Sequence, residues 1–287
     1  MAMIRQARIS LLSFCAGSSL ILFPLVFHCL SFLYFLWRDL WLAVLLIHFV
    51  AVNGVFSAVY VHQKDSYRVV VRAGNLGITF GLGFLLSMYS TRWSLFGWYI
   101  MSLTFFHWSE YQMTAMTNPK SLTLESFLLD HSREYKIAAA ASCVEFFVEA
   151  LLLPSMTTFR YISLLGAMMA VGGDFLRKLS MWTARTNFNH YIQHTKQDGH
   201  VLVTWGVYSV FRHPSYVGWY CWSLGTQVML CNPICLVMYA VVSWKFFSER
   251  IFDEEICLLN FFGEDYLDYQ RKVPTGIPFI YGYKQLL

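Results

Sequence analysis

Long apolar stretches follow one another through most of this chain, at roughly 9–36, 40–61, 69–90, 93–116, 137–153, 159–176, 217–231 and 234–248. About 20 predominantly apolar residues are needed for a helix to cross a hydrocarbon core of about 30 Å. The pattern therefore predicts an all-α, polytopic integral membrane protein with about eight transmembrane helices. The last two stretches are short and are separated only by Asn232-Pro233, so 217–248 reads as a tight helical hairpin whose arms need not both reach the far face. Composition agrees, since only 13% of the 287 residues are charged, where roughly a quarter is usual for a soluble domain. Arg5 and Arg8 precede an apolar run from Ile9 to Trp37 that is too long for a signal-peptide core, so it is expected to remain as the first span. No linker, low-complexity tract or internal repeat divides the chain. A single membrane domain over 1–287 is expected, with six transmembrane helices in 1–176 and a more polar region, 177–287, that includes the hairpin.

Charge gives an orientation. Short cytoplasmic loops are enriched in Lys and Arg, and with eight spans one face receives only Arg38, Arg92 and Arg160, while the other holds the remaining 18 of 21 basic residues. That second face also receives the long segments 117–136, 177–216 and 249–287, so both termini and any chemistry that uses a soluble cofactor are expected in the cytosol. A net charge of +4 without a basic run argues against a nucleic-acid partner. The seven cysteines contain no CxxC pair, which favours neither a disulfide framework nor a metal site.

Within the spans, Gly74, Gly77, Gly81 and Gly83 read as close contacts between helices rather than a dinucleotide loop. A carboxyl group at membrane depth costs a few kcal/mol unless paired or solvated, so Glu110, Glu145, Glu149 and Asp174 are expected to face an interior. That interior is either a substrate cavity or an interhelix hydrogen-bond network. A proton-coupled transporter would use such acids too.

Beyond Arg177 polar residues become dense, and the string Gly206-Val207-Tyr208-Ser209-Val210-Phe211-Arg212-His213-Pro214-Ser215-Tyr216-Val217-Gly218 stands out. His213 precedes proline and is pushed from helical geometry, whereas Pro214 suits the first position of a helix. The helix start, flanked by Arg212 and His213, is an expected anion site. Further on, Glu249-Arg250-Ile251-Phe252-Asp253-Glu254-Glu255 puts Arg250 and Glu254 one turn apart. Alone, that pair reads as a solvated salt bridge worth a few tenths of a kcal/mol.

Together the two strings resemble the isoprenylcysteine carboxyl methyltransferase family. The resemblance also rests on Asn187-Phe188-Asn189-His190, Gln193, His200-Val201-Leu202-Val203-Thr204, Phe262-Gly263-Glu264-Asp265-Tyr266 and Arg271-Lys272-Val273-Pro274-Thr275-Gly276. Upstream, His107-Trp108-Ser109-Glu110-Tyr111, Asn118-Pro119-Lys120-Ser121, His131 and Glu134-Tyr135 are similar to the eukaryotic form, and the first 90 residues match in hydropathy only. The resemblance implies transfer of a methyl group from S-adenosylmethionine to the C-terminal carboxylate of CaaX-processed proteins ending in a farnesylated or geranylgeranylated cysteine. It makes small GTPases and the bilayer the partners, and the endoplasmic reticulum membrane the expected location.

The family's donor positions fall here on Gln193, His200, Val201, Leu202, Val203, Tyr208, His213, Pro214, Ser215, Tyr216 and Glu254, within 177–287. A donor carboxylate would suit the helix start, and an ammonium and ribose hydroxyls would suit Glu254, while Tyr208 and Tyr216 offer rings to adenine or sulfonium. Arg250 is the first candidate to hold the accepting carboxylate and Arg177 the second, the latter reading equally as a snorkelling residue. A phospholipid N-methyltransferase or a sterol reductase would have the same broad architecture without the combined Gln193, His200–Val203 and Arg250/Glu254 pattern. A transporter would leave the Arg212–Gly218 string unexplained.

Overall fold

The computed structural model describes residues 5–30, 32, 34–89, 93–130, 132–152 and 159–283, so Arg92 and His131 lie outside the described residues. Every regular element among them is helical: α1 (Arg5–Ser18), α2 (Phe23–Cys29), α3 (Tyr34–Tyr60), α4 (Lys64–Tyr89), α5 (Ser94–Thr117), α6 (Arg133–Leu152), α7 (Arg160–Ala184), α8 (Pro214–Leu230), α9 (Pro233–Phe262) and α10 (Glu264–Lys272). The architecture is that of an all-α integral membrane fold. By length and composition, Arg5–Cys29, Tyr34–Tyr60 and Lys64–Tyr89 are apolar enough to cross a membrane. Of the later long helices, α6, α7 and α9 carry both acids and bases within their length, whereas α5 holds Glu110 and no Lys or Arg.

The first two stretches differ from the sequence reading at their boundaries. A 3₁₀ turn, Ser19–Leu22, joins α1 to α2, and Leu30 leaves helical geometry with φ −98° and ψ 73°. Residues 34–36 then begin α3, which is kinked at Leu40 just after the exposed Arg38–Asp39 pair. Hydropathy runs unbroken through this turn, so composition does not mark it. At the other end α9 continues well past 248, carrying the charged string 249–255 as helix.

The chain forms two compact units, one of Met1–Met116 with Thr123–Leu129 and one of Thr117–Leu122 with Asp130–Leu287. In the first, α1 and α3 pack on α4. A Cβ at Gly77 would stand 2.2 Å from the carbonyl oxygen of Phe14, so glycine there lets two backbones touch, as the stripe on α4 suggested. Phe14 stacks on Trp108 at 4.1 Å between centroids, and Glu110 is fully buried in the same unit.

In the second unit α7 and α8 form the tightest helix pair. Gly166 and Gly173 on α7 meet Gly218 and Gly225 on α8, each pair spaced by seven residues so that both fall on one helical face. A Cβ at Gly173 would come within 2.5 Å of Gly218 O, and one at Gly218 within 2.6 Å of Gly173 O. Glu145 of α6 caps α9, accepting Ile234 N at 2.7 Å and Cys235 N at 2.6 Å. This resolves Glu145 in favour of an interhelix hydrogen-bond role, while Asp174 pairs with Lys178 one turn along α7.

Candidate functional site

The start of α8 is formed as Pro214 dictates. His213 is the N-cap residue at φ −123° and ψ 58°, and Pro214 opens the helix. The backbone ahead of it is fixed by residues far along the chain, because Arg212 N donates to Pro274 O at 2.8 Å and His213 N to Thr275 O at 3.3 Å. Tyr216 N turns back onto His213 O at 3.0 Å. The N–H of Ser215, the second helical residue, has no intrahelical acceptor.

This start forms one wall of a cavity enclosing about 670 Å³ of space, its open mouth included. The lining comprises Ala184, Asn187–Asn189, His200–Val203, Tyr208, Arg212–Tyr216, Glu254, Leu258, Phe262, Tyr266 and Tyr269. Segments distant in sequence are tied together by short bonds. Asn118 Nδ2 donates to Phe188 O at 3.0 Å, and Val201 N donates to Asn187 Oδ1 at 2.8 Å, which fixes the His200–Val203 strip. Lys196 Nζ donates to Phe261 O at 2.8 Å and lies over the Phe262 ring. Burial, reinforced by the Lys196 charge, pushes the His200 imidazole below its ordinary value, so the ring is neutral at physiological pH. Its Nδ1 is buried without a hydrogen-bond partner.

Glu254, Leu258 and Phe262 share one face of α9 at i, i+4 and i+8. The Tyr216 hydroxyl donates to Glu254 Oε2 at 2.6 Å and accepts from Arg250 Nε at 2.8 Å. Arg250 also donates through Nη2 to His190 O. Tyr216 stacks on His213 with 5.6 Å between centroids and 6° between planes, and on Phe247 from the other side.

Glu255 lies beneath the cavity with its side chain wholly buried. It pairs with Arg212 Nε at 2.8 Å and lies 3.2 Å from His213 Nε2. The rest of the Arg212 guanidinium is engaged by the carbonyls of Gln270, Val273 and Tyr281. This corrects the expectation that Arg212 helps to receive an anion at the helix start, because its donors are already used in holding Glu255 and the segment from Gln270 to Tyr281. Burial works against ionisation of Glu255, but the hydrogen bond from His213 and the charges of His213 and Arg212 outweigh it and hold the carboxyl below its ordinary range. Burial and the neighbouring Glu255 charge raise the Tyr266 hydroxyl well above its ordinary value, so it serves as a donor. Removing one member of such a buried pair typically costs about 3–5 kcal/mol.

Ten of the eleven expected donor residues thus line one cavity: His200, Val201, Leu202, Val203, Tyr208, His213, Pro214, Ser215, Tyr216 and Glu254. Gln193 is not in the lining, and its amide donates to Tyr191 O at 3.1 Å. Arg250 stands behind Tyr216, outside the lining. Arg177 is 1% exposed rather than snorkelling, with its guanidinium 4.6 Å from the Trp219 ring and Nη1 3.5 Å from Ser215 O. The sequence reading does not assign Ala184, Asn187–Asn189, Arg212, Leu258, Phe262, Tyr266 or Tyr269 to the donor site, nor Glu255 as a hub. The i, i+4 repeat from Glu254 was the available signal for Leu258 and Phe262.

Comparisons with known proteins agree on one family. The family model of isoprenylcysteine carboxyl methyltransferase (ICMT) matches residues 165–260. The chain is 50% identical over 282 residues to protein-S-isoprenylcysteine O-methyltransferase of Xenopus laevis, covering 98% of this chain and 97% of that protein. It is 48% identical over 279 residues to the Homo sapiens protein of the same name, covering 97% and 95%. A solved structure described as the eukaryotic intramembrane Ras methyltransferase ICMT superposes with a TM-score of 0.89 at 40% identity, covering 98% of this chain and 99% of that one.

Proposed function

The chain belongs to the isoprenylcysteine carboxyl methyltransferase family, and from that premise we propose that it transfers a methyl group from S-adenosylmethionine to the C-terminal carboxylate of prenylated cysteine in CaaX-processed proteins, such as small GTPases. The single observation that carries this reading is the gathering of ten expected donor residues, drawn from three separate strings, on one cavity. The cavity's chemistry fits the donor. The unpartnered Nδ1 of His200 offers a polar contact to a base or ribose, the Ser215 N–H at the helix start suits a carboxylate, and Glu254 suits an ammonium. The Tyr208 ring in the lining would attract a cation favourably, whereas the Tyr216 ring is already stacked between His213 and Phe247.

When bound, S-adenosylmethionine supplies an electrophilic methyl on sulfur. A C-terminal carboxylate, with an ordinary pKa of about 3.5, is already ionised at neutral pH, so the chain need provide no general base. Its task is alignment with water excluded, which can be worth about 7–11 kcal/mol. Arg250 is the group proposed to hold the accepting carboxylate. Two of its nitrogens are fixed by Tyr216 and His190, and its Nη1 has no protein partner among the described residues. Tyr216 bridges Arg250 and Glu254, so the same hydroxyl orders the groups assigned to acceptor and donor. Arg177, enclosed by Trp219 and Ser215 O, is the second basic group for the acceptor side.

The prenyl tail would enter laterally from the bilayer while the donor arrives from the cytosol. This reading includes about eight spans, both termini and the site on the cytosolic face, and residence in the endoplasmic reticulum membrane. Thermal melting of purified protein tests the donor assignment. S-adenosylhomocysteine should raise the melting temperature and NADPH should not; the opposite pattern would favour a reductase.

A further inference from the structure

The two oxygens of Glu255 serve different parts of the chain. Oε1 accepts Arg212 Nε at 2.8 Å and the Tyr266 hydroxyl at 3.0 Å and lies 3.2 Å from His213 Nε2. Those three residues line the donor cavity, whereas Glu255 does not. Oε2 accepts Gln270 Nε2 and the backbone N–H of Tyr283, each at 2.9 Å. Gln270 Nε2 also donates to Tyr283 O at 2.6 Å, and Arg212 Nη2 donates to Tyr281 O at 3.0 Å. Gly282 fits between these bonds at φ +75°, where a Cβ would stand 1.9 Å from Oε2.

We infer that Glu255 is a positioning residue of the donor cavity, coupling the seating of residues 281–283 to donor affinity. This rests on the methyl-donor reading of the cavity. A carboxylate is one planar group, so displacing Oε2 turns Oε1 with it. Without the Tyr283 N–H, the buried charge turns toward its remaining donors. His213 and Tyr266 follow Oε1, and because His213 stacks on Tyr216, the displacement reaches the hydroxyl that holds Glu254. Residues 281–283 thereby control a wall they do not themselves line.

Steady-state kinetics on the full-length protein in micelles tests this, with N-acetyl-farnesylcysteine saturating and S-adenosylmethionine varied. Glu255→Gln keeps the shape of the side chain and removes its charge, while Gly282→Ala disturbs Oε2 from a position outside the cavity. Both should raise the donor KM by about tenfold with kcat within about twofold of wild type. Phe279→Asn, at an 81% exposed position in the same segment, should leave both constants unchanged. If Glu255→Gln does not fold, Tyr283→Pro removes the N–H to Oε2 and should give the same KM effect. Folded variants whose donor KM stays at the wild-type value, or whose kcat falls with KM constant, overturn the coupling. A wild-type protein inert toward S-adenosylmethionine overturns instead the donor reading beneath it.

Discussion

The Arg250 guanidinium is held at two points, by the Tyr216 hydroxyl and by His190 O, so its direction is set before any substrate arrives. Preorganised charge of this kind is worth more than a mobile surface cation. Replacing Arg250 by alanine should lower kcat/KM for a prenylcysteine acceptor by more than about tenfold. Binding of S-adenosylhomocysteine, followed by thermal shift, should weaken less than acceptor turnover, because Tyr216 loses one partner but keeps its bond to Glu254, and loss of donor binding alone would contradict the assignment. At this scale the sequence was informative wherever a side chain's role follows from its immediate neighbours. His213 before Pro214 could be read as a helix cap, and Arg250 and Glu254 as one-turn partners. Glu255 could not be separated from Glu254 in that way. Adjacent helical residues point about 100° apart, and only the returning segment 273–283 reveals what the second acid meets. Gln193 was carried by resemblance alone, with no local geometry to test it.

Helix α7 approaches α8 closely because glycine stands at each contact, and that approach fixes Ser215 and Trp219 beside Arg177. Gly173→Ala should therefore overpack the pair and destabilise the protein by about 1–3 kcal/mol. Its neighbour Gly172, with nothing within 4 Å of a Cβ, is the control. There alanine should be neutral or stabilise the helix by up to about 1 kcal/mol. Melting temperatures of the two variants in the same detergent check both expectations. Glu145→Ala should cost about 0.5–2 kcal/mol by uncapping α9, with the donor KM unchanged because Arg250 and Glu254 sit toward the other end of that helix. Denaturation and kinetics of the same preparation separate the two effects. Helix existence was legible from the apolar runs, since length and hydropathy suffice for it. The break after Cys29 and the extent of α9 beyond Glu255 to Phe262 were not, because backbone geometry decides them against an uninterrupted or a falling hydropathy.

Across the molecule, the last described residues return to the middle of the donor cavity's foundation, and one buried acid holds them there. Because Glu255 is held below its ordinary value of 4.5, its contribution to stability is complete above that pH and is lost as pH falls through the lower, folded-state value. The melting temperature should therefore decline on acidification below about pH 4.5, and Glu255→Gln should flatten that decline. Ile277 and Ile280 of the returning segment are buried against Val217, Phe247 and Ile251, so the same segment contributes apolar packing that pH does not alter. The all-α membrane character was legible from composition, whereas the division into two compact units was not, because no polar linker separates them. The most direct test of the central claim is methyl transfer from labelled S-adenosylmethionine to N-acetyl-farnesylcysteine, compared with unprenylated N-acetylcysteine, using purified protein. A base-labile methyl ester formed on the prenylated acceptor and scarcely on the other is the predicted result; equal rates on both, or no ester on either, would contradict it.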